Sequence, residues 1–175
     1  MRFLALFLSA LVALLPLPAL AQVLLSFHSF NGSYLGGRYP HAFVVLDGTL
    51  GDGTRVHENY GYSTSAGALS ALRGNVPGII QVEKEKYIAS TNRHFTLPVS
   101  DAQVLAIRAE VEAWRDVPGQ RRYLLDRRNC IHFVARIAEM VGIDAPVPQE
   151  MVRRPKLWLN HVNRLNPQLG AREVH

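Results

Sequence analysis

The sequence predicts an α+β domain, a mostly antiparallel sheet packed against helices, and three observations predict it. Short β-prone apolar runs separated by glycine-rich breaks occupy the first half of the chain. Apolar residues at helical spacing occupy the second half. No linker, internal repeat or low-complexity tract divides the two.

The elements follow in chain order. Arg2, the apolar run Phe3 to Leu15 and the small-x-small pattern Ala19-Leu20-Ala21 predict a signal peptide over residues 1–21. Pro16 and Pro18 interrupt that run, which is short for a span of about 20 residues, so cleavage is expected rather than anchoring. The expected location is therefore outside the inner membrane, periplasmic or extracellular, with no stable transmembrane span. Residues 22–175 (175 minus 21, or 154 residues) suffice for one domain with one core.

Val23 to Phe27 reads as a strand, followed by a loop punctuated by Asn31-Gly32 and Gly36-Gly37. His41 to Leu46 is a compact apolar strand; Asp47-Gly48 and Gly51-Asp52-Gly53 end it, and Arg55 to Tyr60 returns as its antiparallel partner. Ser63 to Leu72 predicts a short helix, and Gly78 to Val82 and His94 to Leu97 predict further strands. Ser100 and Gln103 form a capping-box pattern ahead of Val104, Ile107, Val111 and Trp114. A second helix follows from Cys130, Phe133, Val134, Ile137, Ala138 and Val141, with Gly142 as its stop. Glu150 to Leu165, with Trp158, predicts a last and partly helical segment despite Pro155.

Loss of Arg2 with the signal peptide takes the formal charge from +5 to +4. The basic excess lies in Arg121, Arg122, Arg127, Arg128, Arg153, Arg154 and Lys156. On an exported chain this points to an anionic envelope polymer or lipid headgroups and away from nucleic acid.

Cys130 is the single cysteine, so no intramolecular disulfide can form. An unpaired thiol in an oxidising compartment is either buried and inert or kept because it reacts. A helix N-terminus and a neighbouring imidazole both favour the thiolate, and Cys130 begins a predicted helix. His132 stands about 200° round that helix from Cys130 and faces elsewhere. His28, His94 and His161 have no supporting context, and His175 lies at the chain end. His41 and His57, sixteen residues apart on neighbouring predicted strands, can form an imidazole pair beside the helix, one ring taking the thiol proton and the other orienting it. Without H-E-x-x-H or C-x-x-C spacing, neither a metal nor another cofactor is expected.

The segments H-A-F-V-V-L-D-G, G-T-R-V-H and Y-L-L-D-R-R-N-C-I-H-F-V-A together resemble the circularly permuted papain-like hydrolases related to NlpC-type endopeptidases and the lecithin:retinol acyltransferase family. The resemblance runs from about Arg38 to Gly142, with the histidine strand ahead of the cysteine helix by 89 residues (130 minus 41). It implies Cys130 as nucleophile, His41 as general base and His57 as orienting residue, with Glu58 and Asn59 as alternatives to His57. It also aligns Tyr123, Leu125, Asn129, His132, Phe133 and Val134 with the surroundings of the family's cysteine. Ile131 departs from the N-C-E-H-F context of the acyltransferase branch.

The expected activity is cysteine-dependent hydrolysis of a cell-envelope amide bond, a peptidoglycan peptide first and a lipid or lipoprotein acyl group as the alternative. A non-catalytic envelope-binding module on the same fold is the reading from another class. The backbone N–H of Cys130 would hold the oxyanion, with Tyr34, Tyr39 and Asn129 as candidates for its second donor.

Overall fold

A computed structural model describes residues 22–32, 39–66 and 68–175. The expected signal peptide, Gly36-Gly37 and Tyr34 lie outside the described residues. The fold class is α+β, as expected from the sequence. The elements are β1 (Val23–Phe30), β2 (His41–Thr49), β3 (Arg55–Thr64), α1 (Ala68–Arg73), β4 (Gly78–Gln81), α2 (Glu85–Ile88), β5 (Asn92–Val99), α3 (Asp101–Trp114), α4 (Cys130–Met140) and α5 (Pro155–Leu165). Among the described residues no helix is long and apolar enough to cross a membrane.

The strands form one sheet in the order β4-β3-β2-β1-β5, and every neighbouring pair is antiparallel. Alternation along each strand divides the side chains between two faces. Val23, Leu25 and Phe27 of β1, Ala42, Val44 and Leu46 of β2, and Val56 and Tyr62 of β3 join the core beneath the helices. Helix α4 packs on β2 and β3, α5 covers β1 and β5, and α3 backs α4. Phe133, Ile137, Trp158 and Leu159, all fully buried, seal that layer.

Local chemistry explains where the helices start and stop. Ser100 and Gln103 make the reciprocal capping box expected at α3. Helix α4 ends at Gly142, whose φ of 82° is open to glycine and strained for other residues; the N–H groups of Gly142 and Ile143 return to the carbonyls of Glu139 and Ala138. Pro155 heads α5 rather than breaking it, because a first-turn residue has no intrahelical N–H bond to lose. One expected boundary moves. Ser63 and Thr64 extend β3, paired with Ile79 and Gly78, and the helix expected over Ser63 to Leu72 is confined to Ala68–Arg73.

The second face of the sheet carries Phe43, His28, Asn59 and His57. The chain between the two edge strands crosses on this side, because its ends are tied to second-face residues. The Asn59 amide donates to the Glu83 carbonyl at 3.1 Å and accepts the Glu83 N–H at 2.6 Å. His57 meets Glu85 at 2.9 Å, and His28 meets the Thr91 hydroxyl at 2.9 Å.

Candidate active site

Cys130 is the first residue of α4, and Asn129 fixes that helix end with all of its polar capacity. The Asn129 side-chain oxygen accepts the N–H groups of Ile131 at 2.8 Å and His132 at 3.3 Å. Its amide nitrogen donates to the carbonyls of Leu125 at 2.6 Å and Val152 at 2.7 Å. Asn129 is therefore the N-cap and not an oxyanion donor: both N–H groups are spent on the backbone. His132 closes the same capping box from N3, half-buried and 2.9 Å from the Asn129 oxygen, which accounts for it without a catalytic role.

The helix that Cys130 begins packs on β2 and β3. The backbone amides of Ala42, Ile131 and Cys130 itself favour its thiolate. Burial nevertheless dominates and pushes the thiol up to about 11, against the lowering by those three amides. At neutral pH the resting group is an uncharged thiol. The thiolate-favouring environment expected at the helix start is thus present but outweighed by desolvation.

His41 is the residue before Ala42 and is buried. By alternation its ring belongs with Phe43 on the second face, stacked at a centroid distance of 6.2 Å. As the first residue of β2, it also stands at the open end of the sheet. His41 and Cys130 line one cavity of about 450 Å³. Gly61 makes the seating of His41 possible. A Cβ at Gly61 would collide with the imidazole Nε2, so the ring lies across the bare backbone of β3 toward β4. Gln81, the partner of Gly61 across that ladder, and Glu83 line the same cavity. Glu83 is buried, and the Gln81 amide donates to its carboxylate.

The structure does not bring His57 to this site. His57 pairs with Asp47 across β2–β3, six residues along β3 from Ser63, the position that the same register sets opposite His41. At roughly 3.3 Å per residue this is about 20 Å. His57 is half exposed and lies between Asp47 at 3.0 Å and Glu85 at 2.9 Å, which hold its pKa above the ordinary histidine value. The alternatives fare no better as orienters. Glu58 projects to the helix side, where it accepts from Arg108 and Tyr60. Asn59 shares the face of His41 but is spent on the Glu83 backbone. Glu83 and Gln81 are the side chains that sequence reasoning missed, and only the pairing of β4 with β3 reveals them.

Tyr123 is the other residue whose place only the structure gives. A two-way backbone bridge to Val76 holds it over the cavity, and its ring is tilted against Tyr62 at 5.6 Å. Burial, then the negative charge that Cys130 and Tyr62 would carry, raise its pKa far above the usual phenol range. Its hydroxyl stays protonated, and Tyr123 and Cys130 line the same cavity. Tyr39, a candidate donor from the sequence, lines the cavity at its exposed rim.

The basic run is sorted as well. Arg122 is committed to buried Asp116 at 2.8 Å, Arg128 stacks on Trp114 at 3.7 Å, and Arg153 holds Asp126 through two bonds of 2.7 and 2.8 Å. Comparison with protein-family models, with curated proteins and with solved structures finds no match for the chain.

Proposed function

We propose that this protein is an exported thiol-dependent hydrolase of the circularly permuted papain-like kind. The observation that carries the reading is that Cys130, at a capped helix N-terminus, and His41 line one cavity. His41 takes the thiol proton as the sulfur attacks an amide or ester carbonyl. The sulfur–carbon bond forms, and the carbonyl oxygen becomes an oxyanion held by the N–H of Cys130 and the hydroxyl of Tyr123. Collapse expels the amine or alcohol with the proton from His41, and water, deprotonated by the same ring, releases the acid and restores the thiol. Glu83 is the group that orients His41, in place of His57. Because the resting thiol is neutral, deprotonation accompanies attack instead of preceding it.

The lining favours an apolar acyl group over a cell-wall peptide. Pro40, Ala66, Leu125, Ile131 and Val152 form much of the wall, and the buried Glu83 carboxylate repels the anionic side chains of wall peptides. Chromogenic acyl esters and anilides of graded chain length, beside purified sacculi, test both halves of the reading. Turnover that rises with chain length and is lost in Cys130→Ala is expected; full turnover in that variant would sink the mechanism. Tyr123→Phe is expected to lower kcat by about 10²-fold with KM little changed. A binding module without chemistry is favoured instead if iodoacetamide alkylates Cys130 slowly and at the same rate in His41→Ala.

A further inference from the structure

We infer that the mouth of the cavity docks on an anionic lipid surface. Two large side chains at the cavity rim are turned to solvent, Tyr39 at 63 % and Leu72 at 58 % exposure. Cations flank them. Arg73 ends α1 directly after Leu72, Arg127 sits in the turn between Leu125 and Asn129, and Arg154 lies between Arg153 and Pro155. All three are exposed, and none makes an ion pair among the described residues. Of the acids near this rim, Asp126 is answered by Arg153 and Glu83 is buried, while Glu150 is exposed two residues before Val152.

Exposed apolar tips among uncommitted guanidinium groups match the boundary of an anionic bilayer. The phenol and leucine enter the headgroup region while the arginines remain at the phosphates. A soluble polyanion would use the arginines but give Tyr39 and Leu72 no apolar partner. The bilayer is therefore the occupant that both parts of the rim fit, and it would present acyl chains to the cavity. The docking does not rest on thiol chemistry, so the two readings fail separately.

The test is partition of the full chain onto phosphatidylcholine vesicles with and without phosphatidylglycerol. Binding common to both lipids includes any contribution from the apolar N-terminal run; the increment on phosphatidylglycerol reports the rim. Arg73→Gln/Arg127→Gln/Arg154→Gln is expected to lower partition onto the anionic vesicles by about 10²-fold, roughly fivefold per arginine. Arg93→Gln/Arg136→Gln/Arg172→Gln, and separately Cys130→Ala, should bind as wild type does. A Leu72→Trp variant should show blue-shifted emission over the wild-type spectrum on anionic vesicles. Undiminished partition of the first triple variant, or unmoved emission from the new tryptophan, would overturn the proposal. So would dextran sulfate binding as tightly as the vesicles.

Discussion

The β2–β3 hairpin carries a histidine at each end, and the two ends have opposite environments. At its open end His41 is buried, laid across Gly61, and lines the cavity that Cys130 also lines. At its turn end His57 stands in solvent between Asp47 and Glu85, beside Arg55. The same residue type on the same ladder is buried in the cavity that Cys130 lines at one end and committed to surface charge pairing at the other. Register and burial make that difference, and spacing in sequence does not reveal it.

The largest effect expected from breaking the contrast is catalytic. His41→Ala should lower hydrolysis by about 10³-fold or more, whereas His57→Ala should leave it within about twofold. Equal losses at both ends, measured as kcat/KM, would erase the distinction. Next is Gly61→Ala, which places a methyl group where the imidazole lies. Activity should fall by about 10²-fold with far-UV circular dichroism unchanged, the signature of a misplaced base in an intact fold.

Stability at alkaline pH sharpens the same contrast. The Cys130 thiol binds its proton more tightly folded than unfolded, so its contribution is complete below the unfolded value of 9.0 and is lost as pH rises toward about 11. That loss is about 3 kcal/mol, and denaturant titrations should show it in wild type and not in Cys130→Ala. Acid sets the histidines against each other. Burial lowers His28 from 6.5 to about 4, so its contribution is present above pH 6.5 and lost as pH falls through 4, again about 3 kcal/mol. His57 is shifted the other way by Asp47 and Glu85, so its contribution is full below 6.5 and fades as pH rises through its folded value. His28→Asn should flatten the acid limb of the stability curve, whereas His57→Asn should lower stability evenly below pH 6.5 and by less as pH rises above it.

Much of the framework was legible because it is local. The Ser100 capping box, the apolar spacing from Cys130 to Val141 and the stop at Gly142 involve residues within a few positions of each other. His41 and Cys130 line one cavity, although 89 residues separate them in the chain (130 minus 41). The neighbours of His41 were not legible. They depend on how far the hairpin register carries His57 and on which residues β4 aligns with Gly61, and neither is written in a periodicity. Asn129, a candidate oxyanion donor from the sequence, is instead the helix cap, a role in which asparagine at a helix start is common.

The crossing between β4 and β5 has a consequence for how the protein withstands proteolysis. One segment of chain, Val82 to Thr91, carries Glu83 into the cavity and spans the sheet to its far edge, with Ala89 and Ser90 exposed along the way. A protease nick there would leave all five strands hydrogen-bonded and the cysteine in place. Asn59 and Gln81 would still hold Glu83, and His57 would still hold Glu85, so a clipped molecule would keep its shape while losing only the covalent link to the far edge.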